Sequence, residues 1–119
     1  MKTLSVSILV LFFVSFAYAE EAYQATAKIW EAMERKNWDA AIAQANRVIR
    51  IWGPQARRTN DQLKKYAPAK DAKKYGNLNE VGVSLLLKGD ALSRKGDKVA
   101  AKVAYQTLLD QYTYAQVWD

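Results

Sequence analysis

The spacing of apolar residues is helical along almost the whole chain, and it restricts the fold more than any other feature of the sequence. Across residues 21–36, apolar side chains recur at intervals of three or four and form one stripe, made of Tyr23, Ala27, Trp30 and Met33. The next stripe consists of Ala41, Ala45, Val48 and Trp52, broadened by Ile42 and Ile49. Because no convincing alternating stretch of strand type occurs, the sequence predicts an all-α fold.

Prolines, glycines and capping residues divide this pattern into about five helices. Asn37 is suited to cap the second helix. Gly53-Pro54 is expected to end that helix, since glycine supplies a left-handed cap and proline cannot continue the hydrogen-bond ladder. Pro54 then opens a third helix that runs to Tyr66, and Pro68 closes it. Residues 69–77 are predicted to form a basic loop.

Two stronger helices are predicted to follow this loop. The first begins at Leu78 or Asn79, and its apolar face consists of Val81, Leu85, Gly89 and Leu92, with Leu86 beside it. Gly96 breaks the chain, and Asp97 is positioned to cap the last helix. The apolar residues of that last helix are Ala101, Ala104, Tyr105, Leu108 and Tyr112.

Residues 1–19 have the organisation of a secretory signal peptide. Lys2 gives a positive start, residues 4–16 are an almost uninterrupted apolar run, and Ala17-Tyr18-Ala19 matches a small-x-small cleavage site. The 17 residues without a charge are short for a membrane span, which needs about 20. We therefore expect export to the periplasm or the exterior and cleavage before Glu20, with an uncleaved anchor as the alternative.

Residues 20–119 then form a single domain that has neither cysteine nor histidine. Their absence excludes disulfides, thiolate chemistry, a lipid-modified cysteine at the cleavage site, zinc sites of the usual kind and every histidine-based catalytic triad. The domain is therefore expected to depend on packing alone for its stability.

The excess of positive charge is confined to residues 57–74. Seven basic side chains lie there against only Asp61 and Asp71, and they are Arg57, Arg58, Lys64, Lys65, Lys70, Lys73 and Lys74. Such a local excess creates a surface field, which matters for partners more than for the fold. It is either an ordinary solvated surface or a docking patch for an acidic protein, an anionic glycan or a lipid headgroup. Nucleic acid is not an expected partner, because the groove-reading motifs are missing.

The second predicted hairpin resembles the tetratricopeptide repeat. The resemblance rests on small and aromatic residues at Gly89, Ala101, Tyr105 and Leu108, because Gly89 and Ala101 allow two antiparallel helices to approach closely. The first hairpin matches more weakly through Trp38, Ala41, Ala45 and Val48, with Ile29 at the glycine position and Ala45 at the aromatic one.

The spacing of the two copies departs from that family. Ala41 and Ala101 lie 60 residues apart, whereas the family period is about 34. The surplus matches residues 54–77, so the domain is predicted to consist of a hairpin at 21–52, an inserted basic helix and loop at 54–77, and a hairpin at 78–114. Three stretches are also similar to small exported bacterial proteins of tetratricopeptide type: Asn79-Glu80-Val81-Gly82, residues 88–92 and residues 114–119.

No residue pattern predicts catalysis, a cofactor or a metal site. Glycoside hydrolysis needs two facing carboxylates, but Glu31 and Glu34 share a helix face with basic residues, which explains them as surface pairs. Asp97 is explained as a helix cap and Asp90 as an exposed helical position. We therefore predict a non-enzyme and keep a glucan-related enzyme only as a remote alternative.

The aromatic residues divide into two sets. Trp30 and Trp52 lie on apolar stripes and are expected in the core, and Trp38 is expected to pack across its own hairpin. Tyr112, Tyr114 and Trp118 crowd the end of the repeat array, where the last helix has no successor to cover it. They either fold back as a cap, remain as an adhesive edge for another chain, or form a platform for sugar stacking.

The leading functional hypothesis is an exported module that binds a peptide or partner protein. The predicted groove is lined by the first helix of each hairpin, through Lys28, Glu31, Arg35, Ser84, Lys88 and Ala91. Because two repeats are fewer than the three usually needed for a stable array, self-association through the C-terminal edge is also predicted. The alternative is binding of an anionic envelope glycan or lipid headgroup by residues 57–74, which would make any membrane contact peripheral.

Overall fold

A computed structural model of the protein describes residues 19–117. Within that range the chain forms α1 (Ala22–Glu34), α2 (Trp38–Gln62), a 3-10 helix (Ala69–Tyr75), α3 (Gly76–Lys95) and α4 (Lys98–Gln111). The described residues contain no strand, and the all-α prediction is confirmed. The predicted signal peptide lies almost entirely outside the described residues. None of the helices between residues 19 and 117 is both long and apolar enough to cross a membrane.

Helix α2 continues through Gly53 and Pro54, so the predicted end of the helix at this point is wrong. A proline inside a helix removes one backbone hydrogen bond, which destabilises the helix locally. Pro54 lies at an exposed position of α2. The apolar stripe continues beyond it, with Gly53, Ala56 and Asn60 all buried. Burial on both sides of the proline therefore outweighs the local cost. Residues 54–62 extend α2 and do not form a separate helix, so the bundle has four α-helices, not five.

The predicted apolar stripe of α1 is also wrong, because the buried face is a different one. Ala22, Ala25, Ile29 and Ala32 are buried, together with Thr26. Tyr23 is 63% exposed and Trp30 is 43% exposed, so Trp30 is not the core residue that its spacing suggested. Three alanines on the inner face allow α2 and α3 to come close to α1. The bulky rings of the predicted stripe therefore lie on the outer side of the helix.

Helix α3 is the central helix of the bundle and packs against each of the other three. Of its predicted apolar face, Val81, Leu85 and Gly89 are buried and Leu92 is half-buried. The helix begins at Gly76, slightly before the predicted start, and the preceding residues form a 3-10 helix where a loop was predicted. On α2, Ala41, Ala45 and Val48 are buried as predicted, and Trp52 is half-buried against the core.

The turns of the two hairpins have the same conformation, at positions 60 residues apart. Lys36 and Gly96 both have a positive φ, 57° and 92° respectively. The next amide nitrogen donates to a carbonyl five residues back in both turns, Asn37 to Ala32 and Asp97 to Leu92, each at 2.9 Å. Both turns therefore end their first helix through the same left-handed cap.

The following helices also begin in the same way. The Asn37 side chain accepts a hydrogen bond from the Ala40 amide at 3.2 Å, and the Asp97 side chain accepts one from the Ala100 amide at 3.1 Å. Both capping predictions are thus confirmed. An ion pair between Lys95 and Asp39 joins the end of α3 to the start of α2. The two turns consequently lie at the same end of the bundle.

Gly89 and Tyr105 account for the close contact between α3 and α4. A Cβ atom on Gly89 would lie 2.3 Å from Cε1 of Tyr105, well inside van der Waals distance. Ala101 and Ala104 are buried along the same helix pair. In the first hairpin the sizes are reversed, with Ile29 on the first helix and Ala45 on the second, both fully buried. Each hairpin therefore places one small and one large residue at these two positions.

Residues 112–117 fold back over α2 and α3. Asn60 accepts a hydrogen bond from the Tyr114 amide at 2.8 Å, and Asn79 accepts one from the Gln116 amide at the same distance. The Tyr112 hydroxyl donates to the Gly53 carbonyl at 3.3 Å. Ala115 is buried and lies over Gly82, with Leu108 alongside. Of the alternatives for this region, these residues take the folded-back form, while Trp118 lies outside the described residues.

Candidate functional site

A cleft opens at the end of the bundle where the two hairpin turns meet, and we name it the turn cleft. Its volume is about 390 Å³, within the range of about 300–1,000 Å³ typical of small-molecule sites. All four α-helices contribute to it, and the lining residues are Met33, Trp38, Asp90, Ser93, Arg94 and Tyr105. An exposed ion pair between Lys95 and Asp39 joins the start of α2 to the end of α3, next in sequence to the lining residues Trp38 and Arg94.

A short hydrogen bond joins two of the residues that line the turn cleft. The Tyr105 hydroxyl donates to Oδ1 of Asp90 at 2.5 Å. Burial is the main cause that raises the pKa of Tyr105 to about 12, and the hydrogen bond and negative charge of Asp90 contribute to the same shift. Tyr105 is therefore a neutral donor at physiological pH, and Asp90 keeps a second carboxylate oxygen for other donors.

The structure brings only part of the predicted groove to the surface. Lys28 and Glu31 are exposed on α1, Arg35 is exposed directly after it, and Lys28 lies 3.4 Å from Glu20 in an ion pair. Lys88 is half-buried. Ser84 and Ala91 are fully buried, and the Ser84 hydroxyl donates to the Glu80 carbonyl at 2.8 Å. These two residues belong to the core, so their predicted place in an open groove is wrong.

The error has a simple helical explanation. Ser84 and Ala91 lie next to the buried residues Val81, Leu85 and Gly89 on the helical wheel, so they share the inner side of α3. The outer side near the end of the helix carries Asp90, Ser93 and Arg94. The central position of α3 widens its buried face, and that position was not evident from the periodicity of α3 alone.

Glu20 forms a second set of charged contacts, beside the start of α1. Its carboxylate lies 2.7 Å from Nη2 of Arg47 and also contacts Lys28. The hydrogen bond with Arg47 is the main cause of the lowered pKa of Glu20, against a smaller opposing effect of desolvation. These contacts attach residue 20 to α2. Glu20, Lys28 and Arg47 form an ion-pair network.

All seven basic residues of the predicted patch are exposed. Arg57 donates to Gln111 at 2.9 Å and lies 3.7 Å from Asp61. Lys74 lies over the ring of Tyr75, 5.6 Å from its centroid. The patch therefore begins on the last turns of α2, continues through the connection after it and ends on the 3-10 helix.

A second cleft lies between that connection and the folded-back residues 112–117, and we name it the C-terminal cleft. Its volume is about 450 Å³, and its lining residues are Tyr66, Ala67, Ala69, Ala115, Gln116 and Val117. Sequence reasoning missed it because its two walls are about 50 residues apart and are joined by tertiary contacts alone.

No set of carboxylates converges for chemistry in the part of the chain that the structure describes. Between residues 19 and 117, no group of three or more potential metal ligands lies together. Asp90 binds Tyr105, Asp97 caps α4, and Glu31 and Glu34 are exposed on α1. Of the four candidate carboxylates, two accept hydrogen bonds within the fold and two are exposed on the surface.

Comparison of the chain with protein-family models, with curated proteins and with solved structures finds no match. The geometry of the two clefts and the charged surface therefore carries the functional inference.

Proposed function

We propose that the protein is a non-catalytic, exported interaction module of tetratricopeptide type that binds a segment of a partner polypeptide. One observation carries the proposal: two hairpins with matching turns lie side by side and form a cleft to which all four helices contribute. Helical repeat proteins use such surfaces between successive units for binding. Export is part of the proposal on the strength of residues 1–19.

The turn cleft is the binding surface that we assign to this function. Trp38 and Tyr105 supply aromatic surface, and both are half-buried and held in place by their helices. Asp90 and Arg94 supply opposite charges, one of them fixed by Tyr105. Aromatic residues and arginine are the side chains that most often carry binding energy in protein interfaces. Lys28 and Glu31 are exposed on α1, and the exposed Arg35 follows the end of that helix.

A random peptide library displayed on phage, selected against the purified protein, tests this assignment. We expect enriched peptides whose affinity is lost when the cleft is filled. Ser93→Trp places a large side chain in the cleft from an exposed position, and Ser93→Ala is the matched control. The tryptophan variant should bind at least about tenfold more weakly, a loss of about 1.4 kcal/mol, whereas the alanine variant should bind like the wild type.

Circular dichroism of both variants establishes that they are equally folded. Affinity should also change little between low and high salt, because aromatic burial is not screened as surface charge is. Absence of any enriched peptide, or equal binding by the two Ser93 variants, would refute the assignment.

A further inference from the structure

The C-terminal cleft is an apolar cavity with few free polar groups. Of its six lining residues, Gln116 alone has a polar amide side chain, and its Nε2 already donates to the carbonyl of Ala67 at 2.7 Å. Tyr66 is 60% exposed at the mouth of the cleft. A volume of about 450 Å³ lies within the range of about 300–1,000 Å³ for pockets that hold small molecules.

The walls of the C-terminal cleft are held together by specific contacts. The rings of Tyr66 and Tyr114 meet edge to face, with centroids 5.6 Å apart and planes at 84°. The Tyr114 hydroxyl donates to the Lys64 carbonyl at 2.9 Å. Since these contacts join the connection after α2 to the folded-back segment, the cleft is formed before any ligand arrives, which reduces the entropic cost of binding.

Three lysines are close in sequence to residues that line this apolar cavity. Lys64 and Lys65 directly precede Tyr66, and Lys70 directly follows Ala69, so each lies within two positions of a lining residue. All three lysines are exposed. Of the two acidic residues in the same segment, Asp61 pairs with Arg57 and Asp71 is half-buried on the 3-10 helix. An apolar cavity with a cationic border is complementary to a molecule that has an apolar tail and an anionic head.

We propose that the C-terminal cleft binds a monomeric, single-chain anionic amphiphile, of the class of fatty acids and alkyl phosphates. The alkyl chain lies against Tyr66, Ala69 and Val117, and the anionic head is paired with Lys64, Lys65 and Lys70. This site is separate from the turn cleft and is independent of the function proposed above.

Isothermal titration calorimetry with three probes tests which part of the amphiphile is recognised. The probes are dodecyl phosphate below its critical micelle concentration, monomeric dodecyl maltoside as the neutral-headed analogue, and inorganic phosphate as the head alone. We expect binding of dodecyl phosphate, binding of dodecyl maltoside about tenfold weaker, and no heat with inorganic phosphate. Equal affinity for the two alkyl probes would show that the lysines do not bind the head group, which would contradict the proposal.

Two pairs of variants locate the binding. Ala69→Trp fills the cleft and should reduce dodecyl phosphate affinity at least about tenfold, whereas Ala69→Ser should not. Lys64→Gln/Lys65→Gln removes charge at the border, and Lys98→Gln/Lys102→Gln removes the same charge from exposed positions on α4. The first lysine pair should weaken binding and reduce its salt dependence, and the second should leave both unchanged.

Competing occupants give different results. Binding to phosphatidylglycerol vesicles without binding to the monomeric probe would assign the region to a bilayer surface and overturn the proposal. A dimer in gel filtration that Ala69→Trp converts to a monomer would assign the cleft to a second copy of the chain. Equal dodecyl phosphate binding by the two Ala69 variants would show that the ligand lies elsewhere.

Discussion

Substitution of Gly89 by alanine tests the contact that brings α3 and α4 together. In an exposed helix this change would stabilise the protein by about 0.8–1.0 kcal/mol, because alanine has the higher helix propensity. Here the new Cβ would lie 2.3 Å from Cε1 and 2.7 Å from Cδ1 and Cζ of Tyr105. The ring cannot move away freely, since its hydroxyl is bound to Asp90 at 2.5 Å.

The expected net effect follows from three contributions. Forcing an extra methyl group into a packed contact costs about 1–3 kcal/mol. If the ring turns aside, the hydrogen bond to the Asp90 carboxylate is lost, at a cost of about 1.5–3 kcal/mol. After subtraction of the gain in helix propensity from either cost, we expect Gly89→Ala to destabilise the fold by about 0.5–2 kcal/mol.

Urea denaturation followed by circular dichroism measures this loss, and two comparisons make it specific. Gly76 has no atom within 4 Å of its hypothetical Cβ, so Gly76→Ala should be neutral or stabilise the protein by up to about 1 kcal/mol. In a Tyr105→Ala background the clash is absent, and Gly89→Ala should become stabilising. The coupling free energy between the two positions should therefore be about 1.5–3 kcal/mol.

A Gly89→Ala variant as stable as the wild type would refute this reasoning. So would the same destabilisation in the presence and absence of the Tyr105 ring, because the loss would then have another origin.

Three further predictions follow from the turns, the Tyr105–Asp90 contact and the folded-back segment. Lys36→Gly should stabilise the protein by up to about 1 kcal/mol and Gly96→Ala should destabilise it by a similar amount, because both positions have positive φ; thermal unfolding of the two variants checks this. Folding raises the pKa of Tyr105 from 10.0 to about 12, so its contribution to stability is complete below pH 10 and is lost as the pH rises towards 12. The difference in unfolding free energy between wild type and Tyr105→Phe should shrink over that interval, and a constant difference would contradict the raised pKa. In Gly82→Ala the new Cβ would lie 2.5 Å from Cβ of Ala115, so the Gln116 amide should exchange its hydrogen much faster than in the wild type, as amide exchange by NMR would show.

Local signals in the sequence correctly predicted the break at Gly96 and the two helix caps, but not the left-handed conformation of Lys36. Asn37 and Asp97 cap their helices, and Gly96 adopts the left-handed conformation, because these features depend on a few neighbouring residues. The all-α fold could also be predicted from the helical spacing of the apolar residues, since the sequence contains no competing strand pattern.

Features that depend on tertiary packing were not accessible in the same way. Two faces of α1 carry apolar residues, and the alanine-rich one is buried because it permits closer helix packing than Tyr23 and Trp30 would. Pro54 reads as a helix end locally, yet buried residues on both sides keep α2 continuous. The turn cleft joins Trp38 to Asp90 across 52 positions of the chain, and no local pattern connects them.

The folded-back segment also has a consequence for the order in which the protein is made. Asn60 finds its partner, the Tyr114 amide, 54 residues later in the chain. Domains are synthesised from the N-terminus at about 5–20 residues per second, so all of α2 is synthesised several seconds before that partner exists. A nascent chain that stops after α4 presents the buried stretch around Ala56 and Asn60 to its surroundings. The last half of α2 therefore completes its packing only after residues 112–114 have been synthesised.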